Sequence, residues 1–221
     1  EKKPLYHFLP RTDTFSLGCS GCGFRCLNCQ NWHMSQRKPE ELKDPRGIPI
    51  RLEPRQLLGP GDMVRASLFA QDAVAMSRFY DCPSLSYTYS EPIVWYEYML
   101  DCAKAARRRN LKNVWVTCGY IQQEPLEELC QWIDAASVNL KSFSDDIYRI
   151  LNTGKLQPVL DTLLTLKRLG VWFEIVNLIV PTYTDKPDMI RQMCDWILEN
   201  LGPEYPLHFS RFMPHHKLLH L

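Results

Sequence analysis

Four of the nine cysteines in this 221-residue chain fall within eleven positions, from Cys19 to Cys29. Three of them, Cys22, Cys26 and Cys29, have the spacing CxxxCxxC. The glycines in the same stretch allow the backbone to bend tightly enough for the sulfurs to face one point. Cysteine sulfur is a preferred ligand of zinc and of iron–sulfur clusters. The stretch is therefore predicted to be a metal-binding loop.

The spacing favours an iron–sulfur cluster over a single zinc ion. A closed zinc site uses two CxxC pairs, usually separated by about a dozen or more residues. Here the pairs Cys19–Cys22 and Cys26–Cys29 are separated by only three residues. A four-iron cube is larger than one ion, so closely spaced thiolates can each take a different corner. Zinc and free or regulatory thiols remain as alternatives.

The number of cysteines in the loop decides whether such a cluster is open or closed. Three thiolates leave one iron of a four-iron cube without a protein ligand, whereas a closed electron-transfer cluster uses four cysteines. Cys19 would be the fourth ligand of a closed cluster. It lies at the end of a short predicted strand and outside the CxxxCxxC spacing, so the open form is the prediction.

The composition is that of an ordinary globular protein, with 45% hydrophobic and 23% charged residues. The length suits one domain with its own core. A formal net charge of +1 gives no support for broad attraction to nucleic acids or membranes. No apolar run approaches the roughly 18 residues of a membrane span. Nine cysteines indicate a reducing compartment, so a cytoplasmic protein without a membrane partner is expected.

Short apolar segments alternate with helical patterns along the chain. Asp62 and Ser90 are predicted to cap the helices that they precede. Six strands separated by helices predict an α/β fold with a parallel sheet that closes into a barrel or partial barrel, with its chemistry at the carboxyl ends of the strands. The predicted strands are 15–17, 85–89, 113–117, 137–141, 171–180 and 207–212, and the later helices are 124–134, 145–152, 157–169 and 186–201, after one over 62–80 and one that follows Ser90.

The three-cysteine spacing after a first strand resembles that of the radical SAM superfamily. A closer resemblance is to the radical SAM enzyme of the AmmeMemoRadiSam system, which is similar to pyruvate formate-lyase activating enzymes. The stretches that carry this resemblance are EKKPLYHFLP at 1–10, CQNW at 29–32, YTYSEPIVWYE at 87–97 and HFSRF at 208–212.

The resemblance implies a fold, two cofactors and a reaction. The fold would be a partial (β/α)6 barrel, and the whole of 1–221 a single radical SAM core domain, expected to be an excerpt of a longer chain. A 4Fe-4S cluster on Cys22, Cys26 and Cys29 would cleave S-adenosylmethionine reductively to a 5′-deoxyadenosyl radical, which abstracts hydrogen from a substrate. Flavodoxin or ferredoxin would supply the electron. A protein is one candidate substrate.

The same resemblance assigns polar residues at the strand ends to S-adenosylmethionine. Ser90 and Glu91 occupy the place of the Gly-Gly-Glu turn that holds the methionyl amine. Thr117 begins a Thr-Cys-Gly turn that resembles the Thr-Asn-Gly turn of activating enzymes. Lys141 would hold the cofactor carboxylate, and Asn177 a ribose hydroxyl. The departures from the family pattern are Asn28 before the third cysteine, Cys118 and Asn139 in the two turns, and Thr182 in place of glycine.

Two other classes of function fit the cysteine loop. With Cys19 as a fourth ligand, the protein would be an electron-transfer or redox-sensing module that binds no S-adenosylmethionine. With zinc in the loop, it would be a metal-stabilised binding domain without redox chemistry.

Overall fold

The computed structural model describes residues 5–37 and 68–221, which contain six strands and seven α-helices. At least one helix lies between each strand and the next along the chain. The strands are β1 (Phe15–Gly18), β2 (Ser84–Tyr89), β3 (Lys112–Thr117), β4 (Ala135–Asn139), β5 (Trp172–Ile179) and β6 (Leu207–Arg211). The helices are α1 (Trp32–Ser35), α2 (Ala70–Phe79), α3 (Tyr96–Arg107), α4 (Gln123–Cys130), α5 (Asp145–Ile147), α6 (Gln157–Arg168) and α7 (Pro187–Asn200).

The six strands form one sheet in the order of the sequence, and every neighbouring pair is parallel. β1 and β6 are the two edges. This confirms the predicted α/β class and is the arrangement of a partial radical SAM barrel. Because parallel strands end at the same edge, the loop after β1 and the turns after β2, β3 and β4 share one rim.

Several predicted boundaries are wrong by a few residues. The fourth strand begins at Ala135 instead of position 137, and helix α4 ends at Cys130 instead of position 134. Ser90 does not cap the helix after β2, because the carboxylate of Glu91 accepts the N–H of Ile93 in its place. Within the described residues, the helix predicted over 62–80 begins at Ala70, and its proposed cap Asp62 lies outside them.

The main core lies between the sheet and its helices. Apolar residues spaced three and four residues apart, such as Val159, Leu163 and Leu166, give α6 a buried face, as expected for an amphipathic helix. Leu163 and Leu166 of that face are fully buried, together with Trp115 and Phe173 from the sheet. This packing anchors the strands whose carboxyl ends form the rim.

A second, smaller core forms where the N-terminal segment meets the other face of the sheet. Leu5 packs there with Val114 and Ala135, and the hydroxyl of Thr14 bonds to the carbonyl of Ser84 at 3.1 Å. The segment thus covers part of the sheet face that the helices leave open. No helix in the described part of the chain is long and apolar enough to cross a membrane.

Candidate active site

The cysteine loop is fixed at both ends by backbone hydrogen bonds. At its start, the N–H of Cys19 donates to the carbonyl of Tyr89, and the carbonyl of Cys19 accepts the N–H of Ser90, both at 2.6 Å. Further along, the N–H of Leu27 donates to the carbonyl of Leu151 at 2.8 Å, and the N–H of Lys217 donates to the carbonyl of Leu27 at 3.0 Å. The loop is therefore held by strand β2, by the segment after α5 and by the C-terminal segment.

Each of the three cysteines in the CxxxCxxC spacing has a polar group against its sulfur. The N–H of Phe24 donates to Sγ of Cys22 at 3.4 Å, and the amide of Asn152 donates to Sγ of Cys26 at 3.2 Å. Sγ of Cys29 and the hydroxyl of Ser35 share a hydrogen bond of 3.3 Å. Hydrogen bonds of this kind stabilise negative charge on sulfur, the form in which it binds metal.

The thiols differ in how readily they ionise. Burial raises the pKa of Cys26, while the Lys141 ammonium and the Asn152 amide act in the opposite direction. A hydrogen bond with the Cys118 thiol lowers the pKa of Cys22 and raises that of Cys118. Cys118, which follows β3, thus lies in direct contact with the cysteine loop.

The thiol of Cys19 has residues of helix α3 as neighbours. Burial is the main cause of the raised pKa values of Tyr98 and Cys102 in α3, and the nearby thiol of Cys19 raises both of them further. The groups that shift the pKa of Cys22 and Cys26 are instead Cys118, Lys141 and the other loop thiols. Cys19 therefore has neighbours on α3, in addition to the backbone hydrogen bonds that join it to Tyr89 and Ser90.

Glu91 is the buried carboxylate of the rim. It accepts the hydroxyl of Thr117 at 2.7 Å and the N–H of Cys118 at 2.6 Å. Burial raises the pKa of Glu91, and these hydrogen bonds offset part of that shift. Gly119 completes the turn with a φ of +68°, and a Cβ there would lie 3.1 Å from Val138, so a glycine suits the position.

Lys141 is the cation of the same rim, two residues beyond the end of β4. Its backbone N–H donates to the hydroxyl of Tyr148 at 3.0 Å, and no ion pair of the described residues uses its ammonium group. Burial acts to lower the pKa of Lys141, but the nearby thiols of Cys118 and Cys26 raise it overall. The side chain therefore stays charged and free to bind an anionic group.

Three further polar atoms at the rim are buried without a partner among residues 5–37 and 68–221. They are Oγ of Ser90, Oδ1 of Asn177 and Oδ1 of Asn28. Asn177 uses its amide nitrogen to donate to the carbonyl of Leu140 at 2.7 Å, which leaves the oxygen free. Because buried polar atoms are nearly always paired, these three oxygens are available to the polar groups of a ligand bound at the rim.

Comparison with known families agrees with this geometry. A family model described as the radical SAM superfamily matches residues 17–197. The chain belongs to the radical SAM superfamily. The match begins just before the cysteine loop and includes all the rim positions described above.

Two curated relatives of this radical SAM chain differ in how closely they match. An uncharacterized protein of Methanocaldococcus jannaschii is 41% identical over 218 residues, which cover 99% of this chain and 58% of that protein. The pyruvate formate-lyase-activating enzyme of Clostridium pasteurianum is 25% identical over 187 residues, which cover 82% of this chain and 67% of the enzyme. The chain thus spans little more than half the length of the archaeal relative.

Solved radical SAM structures share the fold at low sequence identity. SuiB of Streptococcus suis bound to S-adenosylmethionine superposes with a TM-score of 0.65 at 12% identity, over 94% of this chain and 43% of that chain. A structure named native anSMEcpe with bound AdoMet gives a TM-score of 0.60 at 14% identity, over 89% of this chain and 50% of that chain. These likenesses establish the common architecture.

The donor set fits an iron–sulfur cluster, as the radical SAM family implies. All three motif cysteines are free thiols. Among the described residues, the only group of three or more His, Cys, Asp or Glu ligand atoms within 4.8 Å of one another is His7, Glu174 and His208, so at least one pair of the three sulfurs lies farther apart than that. Thiolates on one zinc ion would all be about 3.8 Å apart, because each Zn–S bond is about 2.3 Å. The arrangement of the sulfurs is therefore wider than a single zinc ion requires.

The donors around the radical SAM rim likewise suit S-adenosylmethionine. Glu91 offers a carboxylate for its ammonium group, and Lys141 an ammonium for its carboxylate. The hydroxyl of Thr117 donates to Glu91 and accepts the N–H of Gly119 at 2.9 Å, so in this structure it supports the carboxylate. The unpaired atoms of Ser90 and Asn177 remain for other polar groups of the cofactor.

Sequence reasoning missed two residues of the radical SAM site. Asn152, which donates to Cys26, and Tyr148, which supports Lys141, both lie in a π-helical turn over Tyr148–Asn152. Single π turns are frequent at functional sites, but their hydrogen-bond pattern leaves no recognisable sequence signal. The predicted helix over 145–152 contained both residues without indicating which side chains face the loop.

Proposed function

We propose that this protein is a radical SAM enzyme in which Cys22, Cys26 and Cys29 hold an open 4Fe-4S cluster. Such a cluster supplies one electron for the reductive cleavage of S-adenosylmethionine to a 5′-deoxyadenosyl radical, which takes hydrogen from a substrate. The observation that carries the proposal is that each of these three thiols has its own hydrogen-bonding group.

The rim residues bind and orient the cofactor in this proposal. Glu91 holds the methionyl ammonium, and Thr117 positions Glu91 through its hydroxyl. Lys141 holds the cofactor carboxylate, while Ser90 and Asn177 contribute their unpaired oxygens. Because these groups come from turns after three strands and from β5 itself, the barrel fixes their geometry before the cofactor binds.

We further propose a protein substrate and membership of the AmmeMemoRadiSam type. The support is the similarity to an enzyme named for activating pyruvate formate-lyase, together with the motifs at 87–97 and 208–212. In the same proposal, residues 1–221 are a single radical SAM core that works in the cytoplasm with flavodoxin or ferredoxin as reductant. The nine free cysteines suit a reducing compartment.

The decisive experiment combines metal analysis with a turnover assay. Anaerobically reconstituted protein should contain about four iron and four sulfide per chain, and should form 5′-deoxyadenosine when dithionite and S-adenosylmethionine are added. Cys26→Ser should abolish product formation. Cys194→Ser, which removes an exposed thiol of α7, is the matched control and should behave as the wild type.

Other outcomes would support the rival functions. A colourless protein that holds zinc and no iron would identify a zinc-stabilised domain. A cluster whose electron paramagnetic resonance spectrum does not respond to S-adenosylmethionine would identify a closed electron-transfer or redox-sensing centre. Normal turnover by Cys26→Ser would contradict the assignment of the three cysteines as ligands of a catalytic cluster.

A further inference from the structure

A second group of metal-ligating side chains lies near the amino ends of β5 and β6, away from the cysteine loop. Glu174 of β5 is fully buried, while the side chains of His7 and His208 are 57% and 25% exposed. Nε2 of His208 lies 2.6 Å from Oε2 of Glu174, and Nδ1 of His7 lies 3.3 Å from the same oxygen. Two imidazoles from different segments therefore converge on one carboxylate oxygen.

The carboxylate is held in place by the backbone of the N-terminal segment. The N–H of His7 donates to Oε1 of Glu174 at 2.7 Å, and the N–H of Tyr6 donates to both oxygens at 3.0 and 3.1 Å. A fully buried carboxylate is costly unless it is paired, and these bonds fix it in the ionised form that binds metals. Tyr6 also packs its ring against His208, with the ring centroids 4.9 Å apart.

We propose that His7, Glu174 and His208 form a site for a divalent metal ion of the zinc class. The three ligand atoms all lie within 4.8 Å of one another, which no other such group of the described residues achieves. Two imidazole nitrogens and a carboxylate oxygen are a common ligand set for zinc, and the remaining position takes water. The exposed edge of His7 gives the ion a route from solvent.

Binding requires only a small adjustment of the side chains. Ligand atoms about 2.0–2.1 Å from a tetrahedral zinc ion are about 3.3 Å apart. The contact between His7 and Glu174 already has that length, and the contact between His208 and Glu174 has to open from 2.6 Å. Each ring then turns a lone pair toward the ion instead of an N–H toward the carboxylate.

The ion would join three parts of the chain that meet at this end of the sheet. They are the N-terminal segment around His7, strand β5 and the edge strand β6, which among the described strands pairs with β5 alone. A metal at this position stabilises the edge strand and the segment that covers the sheet face. In this proposal the ion holds these three parts of the chain together, at the opposite ends of the strands from the cysteine loop.

A cobalt titration of the untagged full-length chain tests the proposal, because Co²⁺ reports its ligands in its absorption spectrum. The wild type is expected to bind one equivalent of Co²⁺ at this site, and this ion should show no thiolate charge-transfer band. A Co²⁺ ion in the cysteine loop would show that band. His208→Gln should weaken this binding by at least about tenfold, since even partners outside the ligand shell matter on that scale. His220→Gln, in the exposed C-terminal segment, is the control and should leave binding unchanged.

Hydrogen exchange gives an independent readout of the same site. Added Zn²⁺ should slow exchange of the Tyr6 and His7 amides, which donate to Glu174, and should not do so in His7→Gln. His7→Gln also serves if His208→Gln fails to fold, because His7 is the more exposed ligand. The proposal is overturned if the wild type takes up no cobalt beyond the thiolate-bound ion, or if both variants bind as tightly as the wild type.

Discussion

The side-chain amide of Asn152 donates a hydrogen bond to Sγ of Cys26 across 126 positions of the sequence. Backbone bonds reinforce the contact, because the N–H of Arg25 donates to the carbonyl of Asn152 at 3.3 Å. The π-helical turn over Tyr148–Asn152 therefore supports both the backbone and the sulfur of the cysteine loop. Such a bond is expected to influence the redox behaviour of a cluster bound there.

Asn152→Leu should make the reduction potential of the reconstituted cluster more negative. The amide bond stabilises the extra negative charge of the reduced state, and its loss removes about 1 kcal/mol, on the order of 40 mV for one electron. A redox titration followed by electron paramagnetic resonance measures the shift. Asn200→Leu removes an amide bond on α7 and is the control. Equal potentials in wild type and Asn152→Leu would show that this bond does not reach the cluster.

Cys19→Ser should retain the cluster, in contrast to Cys26→Ser. Its thiol lies beside Tyr98 and Cys102 of α3, so its loss leaves the three motif ligands untouched. The iron content should match the wild type, and S-adenosylmethionine should still change the spectrum of the reduced cluster. Loss of iron in Cys19→Ser would instead indicate a fourth cysteine ligand and a closed centre.

Glu91→Gln should weaken S-adenosylmethionine binding by about 10- to 100-fold, because a hydrogen bond to a charged group contributes about 1.5–3 kcal/mol. The neutral amide also places a donor against the N–H of Cys118 or the hydroxyl of Thr117. Isothermal titration under anaerobic conditions measures the affinity. Glu97→Gln on the exposed face of α3 is the matched control. Unchanged affinity in Glu91→Gln would assign the ammonium group to another residue.

The affinity of the wild type should also depend on pH through Glu91. Burial raises the pKa of this carboxyl above its ordinary value of 4.5, and only the ionised form attracts the ammonium group. Affinity is therefore complete above the raised pKa and falls as the pH drops through it, in a window that begins above 4.5. Thr117, Cys118 and Ile93 surround the carboxyl, and none adds a positive charge. If the affinity of Glu91→Gln for S-adenosylmethionine depended on pH in the same way, the pH dependence would not come from Glu91.

The sequence predicts the sheet and the cysteine loop because both depend on local patterns. Apolar segments such as 113–117 become strands within one or two residues of the expected ends, and the spacing of Cys22, Cys26 and Cys29 is visible directly. Such periodicity reports which faces are buried, and parallel strands then bring their carboxyl ends to one rim.

Local sequence patterns do not predict side-chain contacts between distant segments. Glu91 is by sequence an ordinary acid in the first turn of a helix, and only the fold places Thr117 and Cys118 against it. The approach of Cys118 to Cys22, and the convergence of two histidines on Glu174, depend equally on how turns and strand ends meet in space. These relations follow from the tertiary structure, which no local periodicity encodes.

Thr182→Gly should raise the free energy of unfolding by up to about 1 kcal/mol. Thr182 has a φ of +67°, a left-handed conformation that disfavours β-branched side chains by about 1–2 kcal/mol, and glycine removes this strain while losing part of the gain to chain entropy. Chemical denaturation measures the change. The buried Thr184 is the contrasting position, since its hydroxyl donates to the carbonyl of Leu178 at 2.8 Å, and Thr184→Gly should destabilise the protein. A loss of stability in Thr182→Gly would show that its side chain makes a compensating contribution.

Gly154→Ala should destabilise the protein by about 1–3 kcal/mol and reduce iron retention. A Cβ at this position would lie 2.5 Å from the ring of Phe24 in the cysteine loop. That ring is buried and contacts Tyr120 and Tyr148, with centroids 5.0 and 6.3 Å away, so moving it also disturbs these two contacts. The methyl group therefore displaces the loop backbone next to Cys22.

Gly23→Ala is the matched control for this effect, because a Cβ there would have no atom of the described residues within 4 Å. Gly23→Ala adds the same methyl group within the cysteine loop, next to Phe24, and its stability and iron content should stay close to those of the wild type. Thermal unfolding and iron analysis of the two reconstituted variants separate crowding of the Phe24 ring from a general effect of an added methyl group near the loop. Equal losses in both would mean that the contact between Gly154 and Phe24 is not what determines how the loop holds its metal.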